Sequence, residues 1–237
     1  MRHVDLCSGI GGFALGFEWA ELSRPVLFCD IEPWSRQVLA KHWPNVPIAQ
    51  DVKELANDPD RNVPDCDILT AGYPCQPFSL AGKRGGKEDP RHIWPYILRI
   101  VASKRPAWCV FENVYGHLTL GLDQVLLDLE AEGYATRPFI VPACGVDAPH
   151  KRDRIWIIAK NMADTDGPRR KEQRWPQPAQ PKHQAPQCRS GWLTEPRVGR
   201  VAHGIPRRVD RLKGLGNAIV PQIAQRIGET IKRADLQ

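Results

Sequence analysis

Between Arg2 and Lys160, short apolar runs alternate with longer amphipathic ones, and no other feature of the chain limits its fold so tightly. Strands are predicted at Arg2–Cys7, Val26–Ile31, Val46–Ala49, Asp67–Gly72, Trp108–Glu112, Tyr134–Val141 and Arg154–Lys160. Helices are predicted between them at Phe13–Glu21, Trp34–Trp43, Ile93–Ser103 and Leu122–Glu132. This alternation is the pattern of an α/β domain built on a mostly parallel sheet. One more amphipathic helix is predicted over Gln222–Arg233, with Ile223, Ala224, Ile227 and Ile231 on one face. The chain of 237 residues is long enough to bury a substantial core as one domain, with or without a small appendage, and it shows no internal repeat.

The first predicted strand runs into DLCSGIGGF, where Gly9, Gly11 and Gly12 crowd a strand-to-helix turn. Glycines there let the backbone approach a ligand at the helix N-terminus, although a tight structural turn would use them too. The second strand ends at Asp30, about 20 residues further on, where Rossmann-like folds place a carboxylate that accepts ribose hydroxyls. Asp51, after the third strand, is placed to reach an adenine amino group. The turn is not G-x-G-x-x-G and no P-loop lysine follows, so an adenosine-type cofactor without a pyrophosphate fits better than a dinucleotide.

The fourth strand opens into GYPCQPFS, Gly72 to Ser79. A cysteine in a reducing compartment is commonly a small buried hydrophobe. Cys75, however, follows a strand end and Tyr73-Pro74, whose restricted backbone presents the thiol instead of packing it. The fourth strand would lie beside the first in a doubly wound sheet, so the glycine turn and Cys75 would share a crevice. The run Ala81 to Asp89 is glycine-rich and charged and has the composition of a mobile lid. The fifth strand delivers Glu112 and Asn113, a carboxylate whose pKa burial would raise, or else a capping acid. Arg152 and Arg154 stand at strand spacing in HKRDR, where two parallel guanidinium groups suit an anion or a carbonyl, or guard an edge strand.

The seven cysteines are odd in number and scattered without C-x-x-C spacing, which argues for neither a disulfide framework nor a zinc site. No apolar run approaches the roughly 20 residues needed to cross a bilayer. The N-terminus enters a strand pattern directly, without a cleavable apolar segment, so a reducing, cytoplasmic setting is expected. The formal charge of +6 is regional: Lys151 to Lys213 holds 16 Lys and Arg against 6 Asp and Glu, leaving 17 against 21 elsewhere. A basic segment on a mildly acidic body suggests a polyanion partner, nucleic acid first. The segment 165–196 carries six prolines and few apolar residues, so little core of its own is expected there. Composition thus divides the chain into an α/β body over 1–160, a short basic, proline-rich region over 161–211 and a C-terminal segment over 212–237.

These motifs together resemble the DNA (cytosine-5) methyltransferases, and the match covers nearly everything outside residues 161–194. DLCSGIGGF, Asp30, GYPCQPFS, FENV, HKRDR, EPRVGRVAHGIP and GLGNAIVP stand in the family's order. One such match could arise by chance; seven in order do not. The resemblance implies a class I methyltransferase fold with a seven-stranded sheet, its last strand antiparallel, and S-adenosyl-L-methionine as cofactor. It implies that Gly9, Gly11 and Gly12 line the methionine part, Asp30 takes the ribose, Asp51 meets the adenine, and Pro74 and Asn217 close the pocket. The C-terminal helix after Pro221 would fold back beside the first strand.

The resemblance also assigns chemistry: the Cys75 thiolate adds to carbon 6 of a flipped-out cytosine, Glu112 holds ring nitrogen 3, Arg154 holds the carbonyl oxygen, and Arg152 helps place the Cys75 loop. The implied partner is double-stranded DNA, met by a monomer in the bacterial cytoplasm, at the nucleoid or from a phage. A tRNA cytosine-5 methyltransferase and a weakly catalytic DNA-binding relative are the alternatives. Four positions depart from the family pattern: Cys7 and Ile31 where aromatics are usual, Asp30 where glutamate is, and His150 where glutamine is. The resemblance makes 1–160 the catalytic and cofactor-binding domain and 161–211 the target-recognition region, which is far shorter than the family's, so recognition is expected to be minimal, to be shared with the arginines from Arg197 to Arg211, or to depend on a partner protein.

Overall fold

Strand and helix follow each other in the structure much as the apolar pattern predicts. This computed structural model describes residues 1–74, 93–119, 121–148, 151–163, 214 and 216–235. Its strands are β1 (Arg2–Leu6), β2 (Arg24–Cys29), β3 (Ile48–Ala49), β4 (Ile68–Ala71), β5 (Trp108–Val114), β6 (Tyr134–Pro142) and β7 (Asp153–Asn161). Its helices are α1 (Gly12–Trp19), α2 (Pro33–His42), α3 (Val52–Asn57), α4 (Pro59–Asn62), α5 (Trp94–Lys104), α6 (Leu122–Ala131) and α7 (Pro221–Asp235). Two short 3₁₀ turns follow β5 and β6, at Tyr115–Leu118 and Ala143–Val146. No described helix is long and apolar enough to cross a membrane.

The sheet runs β3-β2-β1-β4-β5-β7-β6, parallel from β3 to β5, with β7 antiparallel to both of its neighbours. That is the expected seven-stranded arrangement with an antiparallel last strand. From β1 the chain winds outward through β2 and β3, then crosses back to place β4 on the other side of β1. The winding therefore reverses between β1 and β4, and in open α/β sheets the crevice that takes a ligand lies beyond the carboxyl ends of the strands at such a point.

Alternating strand residues sort the core into two layers. Leu69, Ala71, Cys109, Phe111 and Ile157 face α5 and α6, meeting Ile97, Ile100, Val125 and Leu129. Ile68, Val110 and Trp156 face the other way, against Phe13 and Phe17 of α1 and Ile223, Ile227 and Ile231 of α7. The C-terminal helix was expected beside the first strand; it packs on α1, the helix that follows that strand. Gly16 permits the approach: a Cβ there would lie 2.6 Å from Ala224 Cβ and 2.9 Å from the backbone nitrogen of Gln225.

α3 and α4 were not predicted. At 6 and 4 residues they are too short to show helical periodicity, and their side-chain caps are their main signal. Asp51 Oδ1 accepts from Lys53 N–H at 2.9 Å, and Asp58 Oδ1 from Arg61 N–H at 3.3 Å, ahead of Pro59.

A polar strip lies under β1 and β4. Thr70 Oγ1 donates to Asp5 Oδ1 at 2.7 Å and lies 2.8 Å from His3 Nε2, and all three residues are fully buried. Burial raises the Asp5 carboxyl to about 8 and lowers the His3 imidazole to about 3, because both charged forms lose water there. Both groups are thus neutral near pH 7.

Candidate active site

Backbone geometry shapes the first half of the crevice. Cys7, Gly9 and Gly11 all have positive φ, at 52°, 54° and 85°, so the chain coils tightly between β1 and α1. Glycine relieves that strain at the latter two positions, and a Cβ at Gly9 would meet nothing within 4 Å, which leaves open space over the turn. Gly11 also admits Trp43: a Cβ there would come within 2.6 Å of the indole ring.

Asp30 joins this turn to β2. Its Oδ2 accepts from Gly9 N–H at 2.7 Å and its Oδ1 from Glu32 N–H at 2.8 Å, so one buried carboxylate holds both loops. Burial raises its pKa, and the two N–H donors pull it back. Each oxygen keeps a lone pair for a further donor. Arg36 of α2, which the sequence reading did not single out, donates to the carbonyls of Asp30 at 2.8 Å and Ile31 at 2.7 Å. Ile31 itself stands 64% exposed beyond Asp30. Asp51 is half-buried, with one carboxylate oxygen committed to its cap. Cys7 is half-buried, and burial holds its thiol well above the ordinary range. Pro74 and Asn217 are both exposed.

Side chains shape the second half. In the β5/β7 ladder Glu112 faces Trp156 and Val114 faces Arg154, so Arg154 is the diagonal neighbour of Glu112 on the same face of the sheet. Arg154 Nε lies 3.0 Å from Glu112 Oε1 in a pair that is largely buried on both sides. Desolvation raises the Glu112 carboxyl to about 7, although Arg154 and then Arg152 pull it down. Such a carboxyl can hold or release a proton near neutrality.

Arg152 departs from expectation in two ways. It precedes β7 with a left-handed backbone, φ 33°, so it does not stand at strand spacing from Arg154. Its Nη2 donates to the carbonyl of Ala218 at 2.9 Å and so ties HKRDR to the C-terminal GLGNAIVP segment. The acid still feels both guanidinium groups. The expected role in placing the Cys75 loop is not visible, because Cys75 and the run to His92 lie outside the described residues, as does His150.

Gly72 joins the two halves. A Cβ there would stand 3.3 Å from Ile219 Cδ1, 3.7 Å from the carbonyl oxygen of Cys7 and 3.8 Å from Glu112 Oε2. The glycine turn, the acid and the C-terminal segment therefore converge on the residue from which Tyr73, Pro74 and Cys75 continue. Among the described residues no cluster of His, Cys, Asp and Glu has the arrangement of a metal site, and the cysteines there are free thiols.

Comparison with known proteins gives a consistent result. The family model described as C-5 cytosine-specific DNA methylase matches residues 1–195. The Type II methyltransferase M2.BsuMI of Bacillus subtilis (strain 168) is 32% identical over 176 residues, covering 69% of this chain and 43% of the relative. M.NgoFVII of Neisseria gonorrhoeae is 33% identical over 166 residues, covering 68% and 44%. The chain thus spans less than half the length of these relatives. Among solved structures, S. pombe Dnmt2 methyltransferase superposes with a TM-score of 0.60 at 24% identity, covering 73% of this chain and 57% of that one. A Spodoptera frugiperda DNMT2 variant gives 0.60 at 22%, covering 74% and 55%.

Proposed function

The chain belongs to the C-5 cytosine-specific DNA methylase family and has the class I methyltransferase fold, and from that premise we propose that it methylates carbon 5 of cytosine in double-stranded DNA. The observation that carries the reading is the buried Glu112–Arg154 pair, 3.0 Å across, which meets the end of the glycine turn at Gly72. An acid poised near neutral pH and a guanidinium suit the N3 and O2 edge of a cytosine.

The β1 end of the crevice fits S-adenosyl-L-methionine. Gly9 leaves the space, Asp30 has lone pairs for ribose hydroxyls, and Ile31 and Asp51 would flank an adenine. Bound there, the cofactor supplies an electrophilic methyl group on sulfur. Cys75 adds as thiolate to carbon 6, and Glu112 protonates or hydrogen-bonds nitrogen 3 as charge develops, so that carbon 5 becomes nucleophilic. Arg154 holds the carbonyl oxygen of the base and keeps Glu112 oriented. Arg152 links this site to the C-terminal segment through Ala218. After methylation, loss of the carbon 5 proton and departure of Cys75 restore aromaticity. A base stacked in a duplex must leave the stack to enter such a crevice.

The test is bisulfite sequencing of DNA from cells that express the chain, beside Cys75→Ala. Conversion-resistant cytosines at a defined site, absent with the variant, are expected. Their absence from DNA, or methyl transfer to tRNA alone in a substrate panel, overturns the reading.

A further inference from the structure

The chemistry above makes no use of Arg36, whose side chain reaches back from the start of α2 to the turn that follows β2. Three successive carbonyls converge on this residue. Its backbone N–H donates to the carbonyl of Glu32 at 3.1 Å, and one side-chain nitrogen, Nη1, donates to the carbonyls of Asp30 at 2.8 Å and Ile31 at 2.7 Å. From the other side, Asp30 N–H donates to the carbonyl of Ala49 at 3.2 Å and ties the same turn to β3.

Carbonyls of consecutive residues that point at one spot repel each other, because their oxygens carry like partial charges. A cation at that spot turns the repulsion into attraction, and its hydrogen bonds are roughly twice as strong as neutral ones. The α2 helix itself gains nothing from this charge. A helix N-terminus offers free N–H groups, which a guanidinium cannot satisfy, and its dipole disfavours a cation. Arg36 therefore serves the turn.

The choice of acceptor matters as much as the strength. Pairing with the Asp30 carboxylate would be the ordinary course for an arginine and would occupy its oxygens. The guanidinium takes the carbonyl of that residue instead, while Oδ2 accepts from Gly9 N–H at 2.7 Å and Oδ1 from Glu32 N–H at 2.8 Å. The backbone of Asp30 is thereby fixed without use of a carboxylate lone pair. The same clamp fixes the backbone of Ile31, whose side chain stands exposed beside it.

We propose that Arg36 is a positioning residue: by gathering the carbonyls of Asp30 and Ile31 it holds the β2–α2 turn in the form that presents both residues to the cofactor. The inference rests on the methyltransferase reading for the identity of that ligand. Its structural content, the fixing of Asp30 on Gly9 and Glu32, is independent of any ligand.

The experiment compares the full chain with Arg36→Met, Arg36→Lys, Asp30→Asn and the Asp30→Asn/Arg36→Met double variant. Three quantities are read: calorimetric affinity for S-adenosyl-L-methionine, kcat and KM with duplex DNA, and the hydrogen-exchange rates of the Gly9 and Glu32 amides in ligand-free protein by NMR. Arg36→Met keeps the apolar stem and removes the donors. It should weaken cofactor binding about tenfold, a part of what two charge-assisted hydrogen bonds are worth. The KM for the cofactor should rise in step, with kcat at saturating cofactor and the KM for DNA within about twofold. Exchange of both amides should quicken at least about threefold. Arg36→Lys should recover most of both effects, since one ammonium can serve two carbonyls as Nη1 does. The double variant should lose less than the product of the two single losses, because Arg36 acts through Asp30.

Wild-type affinity and exchange in stably folded Arg36→Met, failure of lysine to restore them, or fully multiplicative losses in the double variant each overturn the inference and leave the methyltransferase reading intact. If the wild-type chain binds no S-adenosyl-L-methionine while Arg36→Met still frees both amides, the functional reading fails and the positioning of Asp30 by Arg36 stands.

Discussion

The two halves of the crevice are built from different materials. On the β1 side, positive-φ residues and N–H donors do the shaping, with Asp30 as a brace between Gly9 and Glu32. On the β5 side, the site is an ion pair, Glu112 with Arg154, delivered by antiparallel pairing. A half built on backbone dihedrals and N–H donors depends on few side chains, with Asp30 the exception. A half made of two charged groups has no such freedom, because removing one leaves the other buried and unpaired.

Mutation can break this contrast in both directions. The largest effect is expected at Glu112: Glu112→Gln should lower kcat about 10²- to 10⁴-fold, as loss of a positioned proton donor does, while calorimetric affinity for S-adenosyl-L-methionine stays unchanged. In the wild type, activity should decline as pH rises through about 7, where Glu112 loses its proton, and this limb should vanish from the residual rate of the variant. Cofactor affinity that falls with Glu112→Gln would mean that the halves are not separable.

Next in size is Gly11→Ala, which sets a Cβ at positive φ against the Trp43 ring. It should cost about 2–4 kcal/mol of stability by urea denaturation, summing strain and overpacking, and weaken cofactor binding. A neutral result would show that the turn is less constrained than its dihedral angles imply.

A smaller effect concerns the strip beneath both halves. Asp5 has a folded-state pKa raised from 3.8 to about 8, so its stabilising contribution is complete below the unfolded value and is lost as pH rises through the folded one. His3 has the opposite sign: lowered from 6.5 to about 3, it contributes above 6.5 and loses that contribution as pH falls. Between pH 7 and 8 the slope belongs mainly to Asp5, and stability should fall by up to about 1 kcal/mol. Asp5→Asn, which still accepts from Thr70, should flatten that slope. An unchanged slope would exclude Asp5 as its source.

The smallest expected change is a gain. Ile31 is exposed just beyond Asp30, so Ile31→Trp should tighten S-adenosyl-L-methionine binding about 2- to 10-fold, the range of one added ring contact. Any change in kcat would link the halves more closely than their construction suggests.

Much of this organisation was legible in the order of residues. Strands buried on both faces read as apolar runs, and α1, α2, α5, α6 and α7 are long enough to show their period. α3 and α4 were missed because a helix of one or two turns leaves no repeat to detect, only caps at Asp51 and Asp58. Arg152 was misplaced because strand spacing was extended one residue beyond the strand, into a left-handed turn. Nothing in the sequence marks the contact of Tyr73 with His117, since a single histidine in YGHL has no periodic or motif context.

The sequence by itself determined the order of the strands, the glycine turn and its partner acid, and the identities of Cys75, Glu112, Arg152 and Arg154. These are properties of neighbouring residues, and local backbone preference writes them directly into the chain. Tertiary structure alone decided which distant groups touch: Arg154 on Glu112, Arg152 on Ala218 across 66 residues and Tyr73 on His117 across 44. Sheet pairing and burial select those partners, and neither leaves a mark on any one stretch of sequence.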